Sequence, residues 1–238
     1  ACERRNQYPH RTIHAGHVHH GLQSDADKGG THCEQGCQAL QVNCKTLYVA
    51  IKKTAKQSLE AEARKARYHA LATLMQVDDV LLTAQHQEDQ AETCLLQFLR
   101  GAGVRGLAAM PQSMPFSRGY LARPLLSISK QKILDYAKEH QLHWVEDSTN
   151  LDEQFTRNFL RARIMPLLKS RWPNMSETIA RVAAHSAETK NLLEDLAQMD
   201  LQQVKSEQGL SVQRLRALSC ARQKNLLRYW LHQQDYLL

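Results

Sequence analysis

Apolar runs and helix-like patterns alternate over the first hundred residues of the chain. The segments "RTIHAGHVHH", "TLYVAI" and "DVLLTA" predict three β-strands, and the second is a compact run of the kind that is buried in a parallel sheet. A weakly helical stretch, residues 24–42, follows the first strand, and stronger helical patterns follow the other two at residues 58–75 and 88–100. This alternation predicts an α/β fold with a Rossmann-like parallel sheet.

The third of these helices has an apolar stripe that indicates which side packs inward. We expect it to be buried through Leu95, Leu96 and Leu99, with Cys94 in the same stripe. The six cysteines of the chain form no paired CxxC motif, so reduced thiols are expected.

The pattern changes after residue 100. A loop-rich section reaches "RPLL", a helix is predicted over residues 129–140, and "LHWVEDSTN" is predicted to be extended. Residues 152–168 are predicted to be helical and to end at Pro166, because proline interrupts a helix. From Asn174 onward only long amphipathic helices are indicated, with no further strand. We therefore place a domain boundary near Trp172–Pro173, with an α/β domain over residues 1–172 and a helical region over 173–238.

Composition narrows the classes of partner. The 238 residues carry a formal net charge of +7, which is compatible with binding to nucleic acid through its phosphates. No run of about 18 apolar residues is present, so no membrane partner is expected and the cytoplasm is the expected location. Cys33, Cys37 and His32 have a spacing that zinc tolerates, but the same spacing fits adjacent turns of a helix, so no metal site is predicted.

Two of the predicted strands are followed by polar segments. "HVHHGL" follows the first, and "TAQHQEDQAET" follows the third with His86, Glu88, Asp89 and Glu92. Asp89 and Glu92 are three residues apart at the start of a helix, so they share a face. Acids at that place can simply stabilise the helix N-terminus. Alternatively, they could hold an ammonium group or lie opposite a magnesium nucleotide.

Arginines supply candidate anion contacts further along. Arg100 begins the cationic turn "RGAGVRG", whose glycines could approach phosphates, although a helix C-cap also explains Gly101. Arg157 and Arg161 are one helical turn apart and could clamp a phosphate or carboxylate. A solvated helix with internal ion pairs is the alternative for these two residues.

Five segments in order resemble a known family. They are "HVHHGL", "EAEARKARY", "TAQHQEDQAET…LLQFLRGAG", "RPLL" and "WVEDSTNLDEQFTRNFLRARIMP". Together they are similar to the tRNA(Ile)-lysidine synthetases, PP-loop ATP pyrophosphatases with an adenine nucleotide alpha-hydrolase type of fold. The resemblance implies that ATP, with Mg²⁺, activates the wobble cytidine of a tRNA(Ile) with a CAU anticodon at its carbonyl. Free L-lysine then displaces AMP, which leaves lysidine.

The same resemblance implies roles for individual residues. Asp89, Glu92 and His86 would recognise lysine and position its amine. Two further groups would contact ATP and the RNA, and a second copy of the chain is a candidate partner. The ATP side would consist of His17, His19, His20 and Arg64, and the anticodon loop or AMP phosphate would meet Arg100, Arg157 and Arg161.

This chain departs from the family pattern in three respects. Glu88–Asp89 stands where many members have two aspartates, which puts the role of Glu88 in doubt. The family's N-terminal strand and Ser-Gly-Gly-x-Asp-Ser phosphate loop have no counterpart, and neither does its later C-terminal domain. The expectation is therefore an N-terminally truncated, incomplete synthetase whose activity alone is uncertain. The alternatives are a non-catalytic tRNA-binding remnant or another PP-loop tRNA-modifying enzyme, although Cys94 stands alone in the central motif, which argues against sulfur transfer.

Overall fold

The computed structural model describes residues 12–19, 26–50, 59–145, 152–207 and 209–233. They fall into two compact units, each assembled from two chain segments. The first unit comprises residues 1–84 and 112–166, and the second comprises residues 85–111 and 167–238. None of the helices in the described part of the chain is long and apolar enough to cross a membrane.

The helices and strands alternate as the hydrophobic pattern predicts, with several additions. In chain order they are β1 (His14–His19), α1 (Ala26–Ala39), β2 (Asn43–Tyr48), α2 (Leu59–Leu74), β3 (Val80–Leu82), α3 (Gln87–Leu99), α4 (Val104–Leu107), β4 (Ser113–Phe116), β5 (Gly119–Ala122), α5 (Lys130–Glu139), α6 (Thr156–Phe159), a π-helical turn (Leu160–Ile164), α7 (Met165–Arg171), α8 (Met175–Val204), β6 (Lys205–Ser206), β7 (Gly209–Leu210), α9 (Val212–Ala217) and α10 (Cys220–Gln233). The predicted order of strand, helix, strand, helix, strand, helix is confirmed from β1 to α3.

In the first unit, β1 and β2 form a parallel pair. The register runs from His14 opposite Asn43 to His19 opposite Tyr48. Helix α2 packs on β1 so closely that a Cβ at Gly16 would lie 3.1 Å from a methyl carbon of Leu71. The prediction that "TLYVAI" is buried is wrong for Tyr48, whose side chain is 78% exposed.

A second sheet in the same unit has the strand order β3–β5–β4. Strand β5 runs parallel to β3, and β4 runs antiparallel to β5. The sequence pattern predicted only loops here, and that prediction is wrong. The short strands give little periodicity. Pro115 lies in β4 at the edge of the sheet, where a residue without an N–H group is tolerated.

The first residue of β5 is a site of close backbone approach. Tyr120 donates its N–H to the carbonyl oxygen of Asp79 over 2.9 Å. A Cβ added at Gly119 would lie 2.0 Å from that same oxygen, a distance that no side chain can occupy. Glycine is therefore required for β5 to pair with the turn that precedes β3.

The predicted helix end at Pro166 is also wrong. Helix α7 begins at Met165 and continues to Arg171, so Pro166 occupies its second position. A proline removes one N–H donor and its ring clashes with the carbonyl oxygen four residues earlier. The π-helical turn Leu160–Ile164 lies directly before it, and this wider turn accommodates the proline where a regular α-helix would break.

In the second unit, α3, α4 and α10 pack against the 30-residue helix α8. Small residues allow the close approach, because Ala91 on α3 and Ala183 and Ala197 on α8 are 0% exposed. Cys94 is buried as predicted, but Leu99 is 69% exposed, so the stripe predicted for this helix is wrong at that residue. The short β6–β7 ladder follows α8, where no strand was predicted.

One ion pair joins α8 to α10 in this unit. The side chain of Asp200 is fully buried, and its two oxygens accept hydrogen bonds from Arg222 Nε, over 3.1 Å, and from Arg222 Nη2. The arginine side chain itself is 40% exposed. A planar guanidinium thus covers the carboxylate with two parallel bonds.

Candidate functional site

The start of α3 gathers the polar residues that follow β3. His86 is the N-cap residue, with extended backbone angles of −120° and −176°. Its backbone N–H donates to Asp89 Oδ2 over 3.0 Å, so Asp89 caps the helix that it belongs to. The capping interpretation of this acid is therefore correct as far as it goes, but it uses only one oxygen of one carboxylate.

The imidazole of His86 lies between two carboxylates. Its Nδ1 is 3.2 Å from Glu88 Oε2, and its Nε2 is 3.4 Å from Asp89 Oδ2. The three side chains are only 13–18% exposed. His86 Nδ1 is itself buried, and among the described residues its contact with Glu88 does not have the geometry of a hydrogen bond. The ring is thus flanked by a carboxylate at each of its two nitrogens.

Glu88 has a second partner from α7. Its Oε1 accepts a hydrogen bond from Lys169 Nζ over 3.3 Å while its other oxygen faces His86. The long side chain of glutamate reaches both groups at once. Position 88, whose role the sequence left in doubt, therefore links a lysine of α7 to the histidine of the cluster.

Glu92 and Gln90 point inward from the same helix. Glu92 is 1% exposed, and Gln90 is 7% exposed. The amide of Gln90 both donates to the Met110 carbonyl oxygen over 2.9 Å and accepts from the Met110 N–H over 3.0 Å. Gln90 therefore fastens the segment after α4 to α3, a structural role that sequence reasoning missed. We call His86, Glu88, Asp89 and Glu92 the acid cluster.

The histidines expected on the ATP side belong to the first unit. His17 and His19 are two residues apart on β1 and therefore lie on the same face of the strand. A Cβ at Gly30 of α1 would lie 3.7 Å from the imidazole of His17. Burial lowers the pKa of His17 below its ordinary value, and the nearby His19 lowers it further. The ring of His19 lies 5.2 Å from that of Tyr48. His20 lies outside the described residues.

Arg64 of α2 is exposed and lies over an aromatic ring. Its guanidinium carbon is 5.1 Å from the centre of the Tyr68 ring, a cation–π contact. Tyr68 in turn is hydrogen-bonded to Arg123, which follows β5 and is 4% exposed. Sequence reasoning missed Arg123 as a candidate, although the motif "RPLL" that contains it was noted.

The arginines expected to contact RNA are divided between the two units. Arg100 is the C-cap residue of α3, about 20 Å along the helix from His86 at 1.5 Å per residue. Arg157 and Arg161 belong to the first unit, in α6 and the π-helical turn, and both are half-buried. Their neighbour Arg163 pairs with Glu153 at 2.8 Å, an ion pair of the kind that the alternative describes for Arg157 and Arg161.

Comparison with known proteins identifies the family. The family model for the PP-loop domain matches residues 2–168. The chain belongs to the PP-loop family. A second model, for the TilS substrate binding domain, matches residues 210–238.

This PP-loop protein is similar to several bacterial relatives. It is 48% identical over 227 residues to the tRNA(Ile)-lysidine synthase of Pseudomonas syringae pv. tomato, covering 92% of this chain and 51% of that protein. It is 48% identical to the tRNA(Ile)-lysidine synthase of Edwardsiella ictaluri, covering 94% and 51%, and 42% identical to that of Coxiella burnetii, covering 95% and 50%. The chain thus spans about half the length of the curated relatives it matches.

A solved structure has the same fold. The U34-tRNA thiolase NcsA from Methanococcus maripaludis with its 4Fe-4S cluster matches with a TM-score of 0.65, over 78% of this chain and 65% of that chain. The sequence identity is 14%, so this likeness concerns the fold alone. It confirms the predicted α/β architecture.

Proposed function

We propose that this PP-loop protein contributes the synthetic centre of a tRNA(Ile)-lysidine synthase. In this reaction, ATP activates the carbonyl of the wobble cytidine in a CAU anticodon, and pyrophosphate leaves. The amine of free L-lysine then attacks the activated carbon, AMP leaves, and one proton is released from the amine. The similarity to three named lysidine synthases and to the TilS substrate binding domain supports this assignment.

The acid cluster is the observation that carries the proposal. A lysine substrate brings ammonium groups that carboxylates can hold in a largely buried site. Its reacting amine must lose a proton before it attacks carbon. Asp89 and Glu92 are the proposed lysine contacts, and the imidazole of His86, 3.4 Å from Asp89, is the proposed proton acceptor.

ATP and its Mg²⁺ require other groups. His17, His19, His20 and Arg64 are the proposed contacts on the ATP side, and Arg100, Arg157 and Arg161 are the proposed contacts with RNA. The described residues contain no cluster of three or more potential metal ligands. The Mg²⁺ ion is therefore proposed to keep most of its waters and to be held chiefly by nucleotide phosphates. The cytoplasm, where ATP and tRNA occur together, is the proposed location.

The fold alone would also suit a sulfur-transferring enzyme. Burial raises the pKa of the Cys94 thiol, and its Sγ lies 3.5 Å from the Leu107 carbonyl oxygen. A buried, protonated thiol is a poor nucleophile. Cys94 therefore favours ligation over thiolation.

The test is ATP-dependent incorporation of labelled lysine into bacterial tRNA. It compares the unsubstituted protein with the variant Asp89→Asn. We expect the variant to lose at least about 100-fold in lysine transfer, because removal of one preorganised charge from a catalytic site commonly costs that much. Binding of tRNA should change less than about twofold, since Asp89 is not a proposed RNA contact.

Asp195→Asn on α8 is the matched control, because it removes an equally negative but exposed side chain. It should transfer lysine normally. Full activity of Asp89→Asn would refute the role of that residue. Absence of lysine transfer from the unsubstituted protein, with tRNA binding retained, would favour a non-catalytic tRNA-binding protein instead.

A further inference from the structure

Arg123 is a buried cation for which the proposed mechanism has no use. It is 4% exposed, although arginine is rarely buried to that degree without a specific partner. It directly follows β5, which runs parallel to β3. Ligands of parallel sheets bind beyond the carboxyl ends of the strands, so Arg123 stands at the edge where such contacts arise.

The buried guanidinium fixes an aromatic side chain. Arg123 is hydrogen-bonded to the side chain of Tyr68, and the phenol oxygen is the acceptor because a guanidinium can only donate. The ring of Tyr68 also meets Phe116 of β4 edge-on, with 5.7 Å between ring centres. Tyr68 is thus held at its hydroxyl by one residue and at its ring by another.

The fixed ring supports a second guanidinium. Arg64, one helical turn before Tyr68, lies over the ring with 5.1 Å from its guanidinium carbon to the ring centre. Burial lowers the pKa of Arg123, and the charge of Arg64 lowers it further, so the two cations are near enough to repel each other. An anion bound beside them would relieve that repulsion.

We propose that Arg123 is a positioning residue that, through Tyr68, holds the guanidinium of Arg64 ready for a phosphate group of ATP. This inference rests on the proposed function, in which Arg64 lies on the ATP side. Arginine suits the task because its planar fork matches a phosphate with two parallel hydrogen bonds. The buried arginine does not touch the nucleotide but restricts the motion of the one that does.

The first test follows the Arg64 side chain itself. The heteronuclear NOE of its Nε–H group, assigned by loss of the signal in Arg64→Lys, reports its restriction on the nanosecond timescale. We expect this NOE to fall in Tyr68→Phe, which keeps the ring but loses the hydroxyl, and in Arg123→Met. Leu121→Val, which alters a buried neighbour on β5, is the control for lowered stability and should leave the NOE unchanged.

The second test is calorimetric titration with ATP and, separately, with lysine. Arg123→Met and Tyr68→Phe should weaken ATP binding by about tenfold, the effect of removing or misdirecting one charge-assisted hydrogen bond. Arg123→Lys, which keeps the charge without the fork, should lie between Arg123→Met and the unsubstituted protein. Lysine affinity should stay within about twofold, because neither Arg123 nor Tyr68 is a proposed lysine contact.

Each result decides the point without any need for turnover. An Arg64 NOE that is unchanged in both Tyr68→Phe and Arg123→Met overturns the proposal. So does a loss of lysine affinity in place of ATP affinity, which would assign the arginines to a carboxylate. If the protein transfers no lysine yet both titration and NOE behave as expected, the proposed function fails and the positioning role stands.

Discussion

The second unit holds two arrangements of acids and bases that use their charge differently. Between α8 and α10, one buried carboxylate of Asp200 meets one guanidinium of Arg222, and both oxygens are hydrogen-bonded. At the start of α3, carboxylates surround the imidazole of His86, and the ammonium group of Lys169 comes from a different helix. The first arrangement is one acid with one strong base that does not titrate near neutrality. The second combines an imidazole with two carboxylates and a lysine.

The difference separates a structural pair from a candidate site. The carboxylate of Asp200 is fully buried, and both of its oxygens are hydrogen-bonded to Arg222. This pair therefore serves to join two helices. The acid cluster lies at the start of α3, and three of its side chains remain 13–18% exposed. Burial and charge alone would not distinguish the two places. The identity of the base and the route to solvent do.

The largest effect on folding should come from breaking the α8–α10 pair on one side only. Arg222→Met would leave the carboxylate of Asp200 buried without its partner. We expect the melting temperature to fall by on the order of 10 °C, because removal of one partner from a buried ion pair leaves an uncompensated buried charge. Thermal unfolding followed by circular dichroism measures the change.

Asp200→Asn is the matched comparison for this prediction. It removes the buried charge and leaves an arginine that is already 40% exposed, so its melting temperature should fall less. Lysine transfer at a temperature where both variants are folded should be normal. Equal losses of stability in the two variants, or a specific loss of lysine transfer, would erase the distinction between the pair and the cluster.

At the acid cluster we expect a smaller effect, which concerns the KM for lysine and not the stability of the fold. Lys169→Met removes the ammonium group 3.3 Å from Glu88 and leaves the surroundings of His86 more negative. Because the pair is partly exposed, its loss should change stability by less than about 1 kcal/mol. The KM for lysine should fall by about two- to fivefold, since a more negative site attracts a cation more strongly.

Steady-state kinetics with varied lysine measures this shift. Lys190→Met on α8 is the control, because that lysine pairs with Glu194 of its own helix. A KM that rises in Lys169→Met would mean that this lysine supports substrate binding. If the KM for lysine falls by the same factor in Lys190→Met, the effect comes from the net charge of the protein and not from the position of Lys169.

Sequence reasoning predicted the polar part of the candidate site because it is local. His86, Glu88 and Asp89 lie within four residues at a strand-to-helix junction, so their proximity in space follows from helix geometry. Lys169 is 81 residues away from Glu88 in the chain, and only the fold joins them. Arg123 was missed for a related reason. A charged residue in a loop-like sequence is expected to be exposed. Arg123 is instead buried, and its contact with Tyr68 of α2 cannot be read from its own segment.

The fold was predictable where the hydrophobic periods were long. Helices α2 and α3 and strand β1 follow such patterns. Strands β4 and β5 have four residues each, too few for a period-two pattern to stand out, and Pro115 hid the first of them. The rule that proline ends a helix failed at Pro166 because the rule considers only the regular α-helical ladder, and a π-helical turn had already changed that ladder.

The 2.0 Å between a Cβ at Gly119 and the carbonyl oxygen of Asp79 limits which substitutions this protein can accept. In a randomised library selected for folding alone, position 119 should return glycine almost without exception, because even a methyl group would separate β5 from Asp79. By contrast, a Cβ at Gly36 in α1 would meet nothing within 4 Å, and that position should accept many residues. Since Arg123 follows β5 directly, a residue without a side chain thus limits where this buried cation can be placed.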